Sequence, residues 1–264
     1  MTPEGDPGVS DFGISSGEVA ARGPHDALAL SGDDPRFELA AAVRRITSAM
    51  VGLPLTDADI AAAAADLAEV AGRLEAAAAP GRRPRAQPDP TREPQDFFPT
   101  SPVIGFANPV APPVVVEALD GGLIGSAWFD YQYEGPPTCV HGGVIAMVFD
   151  EMLGAANILA GSPGMTGTLT IRYRKPTPLL TPLRLEARFV SRDGRKIYTT
   201  GAIYHGEVLT AEAEGIFIEL VPQKFMKIVA ENSDSPEALE QVRADARRLG
   251  LDEGPSEPGG SSPS

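Results

Sequence analysis

The stretch His141-Gly-Gly-Val-Ile-Ala-Met-Val-Phe-Asp150-Glu151-Met-Leu-Gly-Ala-Ala-Asn-Ile-Leu-Ala160 decides the fold. From Val144 to Ala160 it is apolar over a length no strand reaches, so it reads as a buried helix. Strand signals flank it. Val114–Leu119 leads into the hairpin turn Asp120-Gly121-Gly122, and Leu123–Tyr133 alternates loosely before a loop over residues 134–140. After Gly161-Ser-Pro-Gly164, Leu169, Ile171 and Tyr173 alternate with Thr170, Arg172 and Arg174. Leu185, Ala187 and Phe189 likewise alternate with Arg184, Glu186 and Arg188, and Asp193-Gly194 and His205-Gly206 turn into Lys196–Tyr204 and Glu207–Leu220. The pattern predicts an α+β unit: two strands, one long helix, then four strands joined by hairpin turns. An antiparallel sheet with one apolar face needs a cover, and this helix is the cover at hand.

The regions outside this unit have a different character. In Phe37–Val51 the apolar residues Leu39, Val43, Ile46 and Met50 share one helical face, and Gly52-Leu-Pro-Leu55 breaks the pattern. Thr56 suits an N-cap, with Asp57 and Asp59 in the first turn, and Ile60, Leu67, Val70 and Leu74 form a stripe running to about Ala79. Residues 36–79 therefore read as a helical hairpin, 80–96 as a stiff Pro/Arg-rich linker, and 97–222 as the sheet-and-helix domain. Residues 223–264 carry a short helix over Pro236–Leu249, with Ser235 as N-cap and Gly250 at the stop, followed by a tail.

Of 264 residues, 28 are Gly and 26 Pro, and the formal net charge is -14. Ten of those charges belong to residues 1–35 and 232–264. The start, Met1 to about Pro35, and the end, Gly254–Ser264, lack the apolar residues to offset ordering and read as disordered. The acidic balance argues against non-specific nucleic-acid binding. In 97–222 the bases all lie between Arg172 and Lys196. No basic-then-apolar leader and no run of 18 apolar residues is present, so neither a secretory signal nor an integral membrane segment is expected. The single cysteine, Cys139, fits a reducing compartment, and the expected location is cytoplasmic.

Asp150-Glu151 is the anomaly within the apolar helix. A carboxylate there loses hydration and is usually paired or functional. His141-Gly142-Gly143 opens the same helix, where free N–H groups and the positive dipole end meet a backbone bare enough for a ligand to approach. Such donors suit a carbonyl oxygen that gains charge. Gly142 and Asp150 lie about 12 Å apart along a helix at ~1.5 Å per residue, so they cannot both flank one reacting carbon within a chain. Joint action on one substrate needs donor and carboxylate from two chains of a symmetric dimer.

His141-Gly142-Gly143, Asp150 nine positions after the histidine, the threonine-bearing stretch Met165-Thr166-Gly-Thr168-Leu-Thr-Ile-Arg-Tyr173 and the ending Tyr173-Arg-Lys-Pro176 together resemble the hotdog-fold acyl-CoA thioesterases. The likeness is to the phenylacetyl-CoA and long-chain acyl-CoA types, over about residues 99–222. The resemblance implies a single hotdog domain, an antiparallel sheet wrapped round the long helix, in a homodimer or dimer of dimers with sites at the dimer interface. It implies Asp150 as general base or nucleophile and the Gly142 N–H as oxyanion donor, with His141 before it. Thr166 is the hydroxyl that positions water or the carboxylate, with Thr168 as second choice. Gly143, Arg172, Arg174 and Lys175 are expected to bind substrate, with Arg192, Arg195 and Lys196 as further candidates for the CoA phosphates. No metal and no cofactor beyond the substrate's own CoA is expected. Some relatives carry Asn or Gln six positions before the histidine, where this chain has Gly135.

Two other functions compete with hydrolysis: a module that binds acyl-CoA without cleaving it, and a hydratase acting on enoyl or hydroxyacyl thioesters. Glu151 reads as a non-catalytic helix residue, His25 as part of a tail, His205 as a turn residue and Cys139 as a loop thiol. Trp128, Phe106 and Tyr133 read as core or as acyl-pocket wall.

Overall fold

A computed structural model describes residues 34–77, 98–112, 114–221, 240 and 244. The expected tails and linker, and the Pro236–Leu249 helix apart from residues 240 and 244, fall outside the described residues.

Helix α1 spans Pro35–Gly52. The Asp34 carboxylate caps it by accepting the Arg36 N–H at 2.9 Å, and proline occupies the first turn. Helix α2 spans Asp57–Ala77. Here Thr56 Oγ1 accepts the Asp59 N–H at 3.2 Å while the Asp59 carboxylate accepts the Thr56 N–H at 3.3 Å, a reciprocal cap. Strands β1 (Val115–Leu119) and β2 (Gly122–Ala127) pair through the Gly121 turn, whose φ of 74° requires no side chain. Strand β2 ends at Ala127 rather than near Tyr133, and Tyr131–Tyr133 closes into a 3₁₀ turn. Helix α3 then runs from Gly142 to Leu159, followed by β3 (Gly164–Tyr173), β4 (Leu183–Asp193), β5 (Lys196–His205) and β6 (Val208–Glu219).

The six strands form one antiparallel sheet in the order β1-β2-β4-β5-β6-β3. This corrects one expectation: β3 and β4 are not joined by a hairpin. Strand β3 lies at the far edge beside β6, and β4 pairs with β2. The connecting residues 174–182 include Pro176, Pro178 and Pro182, which have no N–H for a ladder and make no tight two-residue turn. The hairpins β4–β5 and β5–β6 stand as expected, turning at Gly194 and Gly206 in the left-handed region.

Helix α3 lies across one face of this sheet. Its Ile145, Val148, Phe149, Met152, Leu153 and Ala156 are buried, joined by Leu123, Leu185, Ile197, Ile203 and Phe217 from the strands. Close approach depends on Gly215, where a Cβ would sit 2.6 Å from the Phe217 ring and 3.0 Å from a Leu153 methyl. Among the described helices, α3 alone is long and apolar enough to cross a membrane, but it is the covered core helix of this sheet.

Helix α1 packs elsewhere. Phe37 meets the Phe106 ring edge-on, with centroids 6.1 Å apart, over Val115 of β1. Arg44 donates to the Asn108 carbonyl at 2.9 Å. Phe106 thus belongs to a contact with α1, while Tyr133 joins the main core, its phenol pushed up to about 12 by burial. No residue of α2 is buried.

Leu153 is fully enclosed between helix and sheet. Leu153→Ala is expected to lower unfolding free energy by about 2–5 kcal/mol in urea titration, with little change in the slope.

Candidate active site

The α3 N-terminus divides its donors. His141 is the N-cap, and its Nδ1 accepts the Gly143 N–H at 2.9 Å. That bond leaves the histidine proton on Nε2 and commits the Gly143 amide to the cap, so Gly143 does not offer a donor to substrate. The Gly142 N–H has no partner among the described residues. The Gly142 carbonyl accepts from the Tyr173 hydroxyl at 2.8 Å, which fixes the first helical residue from the end of β3.

The loop before the cap is held as tightly. The His141 N–H donates to the Tyr133 carbonyl at 2.8 Å, and Gly135 donates to the Cys139 carbonyl at 2.9 Å. A Cβ on Gly135 would fall 2.7 Å from the His141 Cα. The loop therefore has no room for the Asn or Gln that some relatives carry there. Thr138 holds φ at 68°, unusual for a threonine, with its N–H bonded to the Glu134 carboxylate at 2.7 Å. Cys139 is partly buried in this loop.

Two turns along α3, the Thr166 hydroxyl donates to Asp150 Oδ1 at 2.6 Å. Asp150 is exposed in the single chain, and its Oδ2 has no partner among the described residues. The Thr166 contact depends on a break in strand alternation. Leu169 and Ile171 pack on the α3 side, which would put the even-numbered residues on the outer face. Between Thr166, opposite Phe217, and Thr168, opposite Ile216, β3 carries one extra residue, Gly167. This bulge resets the parity and turns Thr166 towards α3, whereas Thr168 keeps the outer phase of Thr170 and Arg172. Glycine inside a strand pattern is a bulge signal, so this feature was legible in the sequence.

Glu151, next to Asp150, faces the other way. Its carboxylate accepts from Ser101 Oγ at 2.9 Å, and the same Ser101 oxygen accepts the Val103 N–H at 3.0 Å. Burial raises the Glu151 carboxyl above its ordinary range, and the neighbouring Asp150 charge adds to this against the Ser101 bond. No sequence signal joins these two residues, 50 positions apart.

The cations expected to meet CoA phosphates are mostly engaged. Arg172 pairs with Glu214 at 2.6 Å, Arg174 with Glu212, and Arg192 with Glu219 at 2.6 Å. Their partners lie on β6, which runs beside β3, with Arg172 directly opposite Glu212 and diagonal to Glu214, while Arg192 reaches Glu219 from β4, one strand further off. Lys175 and Lys196 keep ammonium groups without a partner among the described residues. Among those residues no three His, Cys, Asp or Glu side chains gather as ligands for a metal ion.

Comparison with known proteins gives a consistent likeness. A family profile described as thioesterase superfamily matches residues 138–212. A solved structure described as a thioesterase superfamily protein is 35% identical, with a TM-score of 0.64, covering 72% of this chain and 92% of its own. The acyl-coenzyme A thioesterase THEM4 of Mus musculus is 37% identical over 111 residues, 41% of this chain and 44% of that protein. The THEM4 of Xenopus laevis is 35% identical over 91 residues, 34% of this chain and 41% of that protein. The chain thus spans less than half the length of these curated relatives.

The raised Glu151 carboxyl makes a pH-dependent contribution. Its stabilising share is fully present below the unfolded-chain value and is lost as pH rises through the folded value. Glu151→Gln, which still accepts from Ser101, is expected to raise the melting temperature at pH 7–8, with the gain vanishing as pH approaches 4. Ser101→Ala removes the donor and is expected to cost about 1–3 kcal/mol at neutral pH. Thermal melts across pH check both.

Proposed function

We propose that this chain, which belongs to the thioesterase superfamily, hydrolyses acyl-CoA thioesters to a free acid and CoA. The observation that carries the reading is the 2.6 Å bond from Thr166 to Asp150. A charge-assisted bond of this length fixes one carboxylate oxygen and leaves the other aimed outwards for work.

The thioester carbonyl oxygen sits on the Gly142 amide of one protomer, at the positive end of α3. Asp150 of the partner subunit takes a proton from water as the water oxygen bonds to the carbonyl carbon, or attacks that carbon directly to give, once the thiolate has left, an acyl anhydride that water then cleaves to the free acid and the Asp150 carboxylate. The negative charge gained by the carbonyl oxygen is held by the Gly142 N–H. The C–S bond then breaks, the electron pair leaves on the CoA sulfur, and the sulfur takes up a proton. Thr166 orients the carboxylate throughout.

A homodimer supplies both halves. Donor and carboxylate lie on one helix eight residues apart, too far to meet within a chain. Strand β3 pairs only with β6 among the described strands, so its outer edge is open to a second copy. Lys175, beyond the end of β3, is the cation for the CoA phosphates, beside the glutamate-paired Arg172 and Arg174.

Thiol release from short, medium and long acyl-CoA and from phenylacetyl-CoA tests the reading. Asp150→Asn is expected to lower kcat by about 10²–10⁴, the span of a lost general base. Thr166→Val is expected to lower it less, with KM little changed. A chain lacking Gly167 sets Thr166 and Thr168 next to each other in strict alternation, so Thr166 keeps its place opposite Phe217 and faces α3; its kcat is expected to stay near that of the parent, unlike Thr166→Val. Wild-type rates in a folded, dimeric Asp150→Asn variant would sink the assignment. Binding without thiol release would point to a carrier module, and loss of enoyl-CoA absorbance to a hydratase.

A further inference from the structure

The proposed site uses neither α1 nor α2 directly, yet the segment from α1 to α2 carries nine of the sixteen exposed large apolar side chains among the described residues. Nine large apolar side chains between Leu39 and Leu74 are 40–62% exposed, where folded monomers rarely leave such contiguous patches open. On α2 they follow a strict seven-residue repeat: Ile60, Leu67 and Leu74, with Ala63, Val70 and Ala77 between. On α1, Leu39, Val43, Ile46 and Met50 recur by alternating fours and threes, and Leu53 follows at the extended C-cap. Both patterns are coiled-coil seams, which mark a helix that faces another helix along its whole length. The two helices do not satisfy each other. Between them and the 98–112 loop lies an open groove of about 400 Å³, lined by Leu39, Val43, Leu67, Val70 and Leu74. With α1 in place, Leu67 is still 40% and Leu74 53% exposed.

We infer that the α1–α2 hairpin is an interface with the hairpin of a second copy of this chain, the two together forming an antiparallel four-helix bundle. Two observations favour a second copy over another occupant. The first is charge. Over Pro35–Gly52, α1 carries three arginines and one glutamate, Arg36 pairing with Asp34 and Arg44 donating to backbone carbonyls so that Arg45 is the one left open, while over Asp57–Ala77, α2 carries five acids and one arginine. A two-fold axis sets α2 of each copy against α1 of the other, bringing opposite charges together. Arg45 is exposed and without a partner among the described residues, available to the partner's Asp66 or the partner's Glu69. The second is area. Counting Leu53, seven of the half-open side chains lie on the two seams and, at on the order of 80 Å² each, offer roughly 560 Å² per copy, near the lower bound of the share per partner in a specific interface. Small residues beside the seams, such as Ala42, Ala64 and Ala71, allow the helices to approach. The inference does not depend on the active-site assignment.

Sedimentation equilibrium on the full chain tests it. The double variant Leu67→Glu with Leu74→Glu alters open positions and leaves the sheet domain untouched. The hairpins join two sheet-paired dimers, so its expected mass falls from four copies to two, or from two to one where the sheets do not pair, with unchanged melting of the sheet domain. Asp66→Lys with Glu69→Lys should also lower the mass, and adding Arg45→Glu should restore it, which a mere loss of helix would not. A single-copy parent, or a mass unaffected by the double glutamate variant, overturns the inference. It is also overturned if the parent binds an apolar dye only after residues 232–264 are removed, for then the chain's own end covers the seam.

Discussion

Everything in this fold depends on burying α3 against one sheet. An 18-residue helix with eight buried positions cannot stand in water, and a sheet with one apolar face cannot either. Each supplies the other's missing cover. The fit is close enough that β5 and β6 carry glycine at positions 201 and 215, where any Cβ would press on Leu153 or the rings beside it. Because α3 is fixed so firmly, the two ends of its solvent-facing stripe are fixed as well. Gly142 and Asp150 inherit their positions from packing that neither residue takes part in.

The chemistry is then a matter of small departures from regular structure. His141 gives up its own ring nitrogen to cap the helix, which consumes one amide and spares the next. Gly167 interrupts β3, which moves one hydroxyl from the outer face to the helix face. Gly135 brings the preceding loop against His141. A regular helix start, an unbroken strand or a loop with one more side chain would each leave the same residues present and the arrangement lost.

What the sequence made legible follows from range. The helix and its opening motif were readable because periodicity, capping and glycine placement act within a few residues. The hairpins at Gly194 and Gly206 were readable for the same reason. The place of β3 was not, because alternation fixes which face a residue takes and says nothing about which strand lies next to it. Arg172 and Arg174 looked available for phosphates because their glutamate partners on β6 are about 40 residues away. Ser101 gave no sign at all, being 50 residues from the carboxylate it serves. The resemblance points to Thr166 before Thr168, and it is the bulge at Gly167 that sets the Thr166 hydroxyl against Asp150.

Strand β3 latches α3 twice, through Thr166 at Asp150 and through Tyr173 at the Gly142 carbonyl, yet it is itself zipped to the sheet along one side, by β6. Edge strands open at lower free energy than the core they border. Both latches therefore release in the same local opening event, well before the α3 core gives way. The working lifetime of the site is set by how long one strand stays closed, so a second chain laid along its free edge would prolong function as much as it would complete the chemistry.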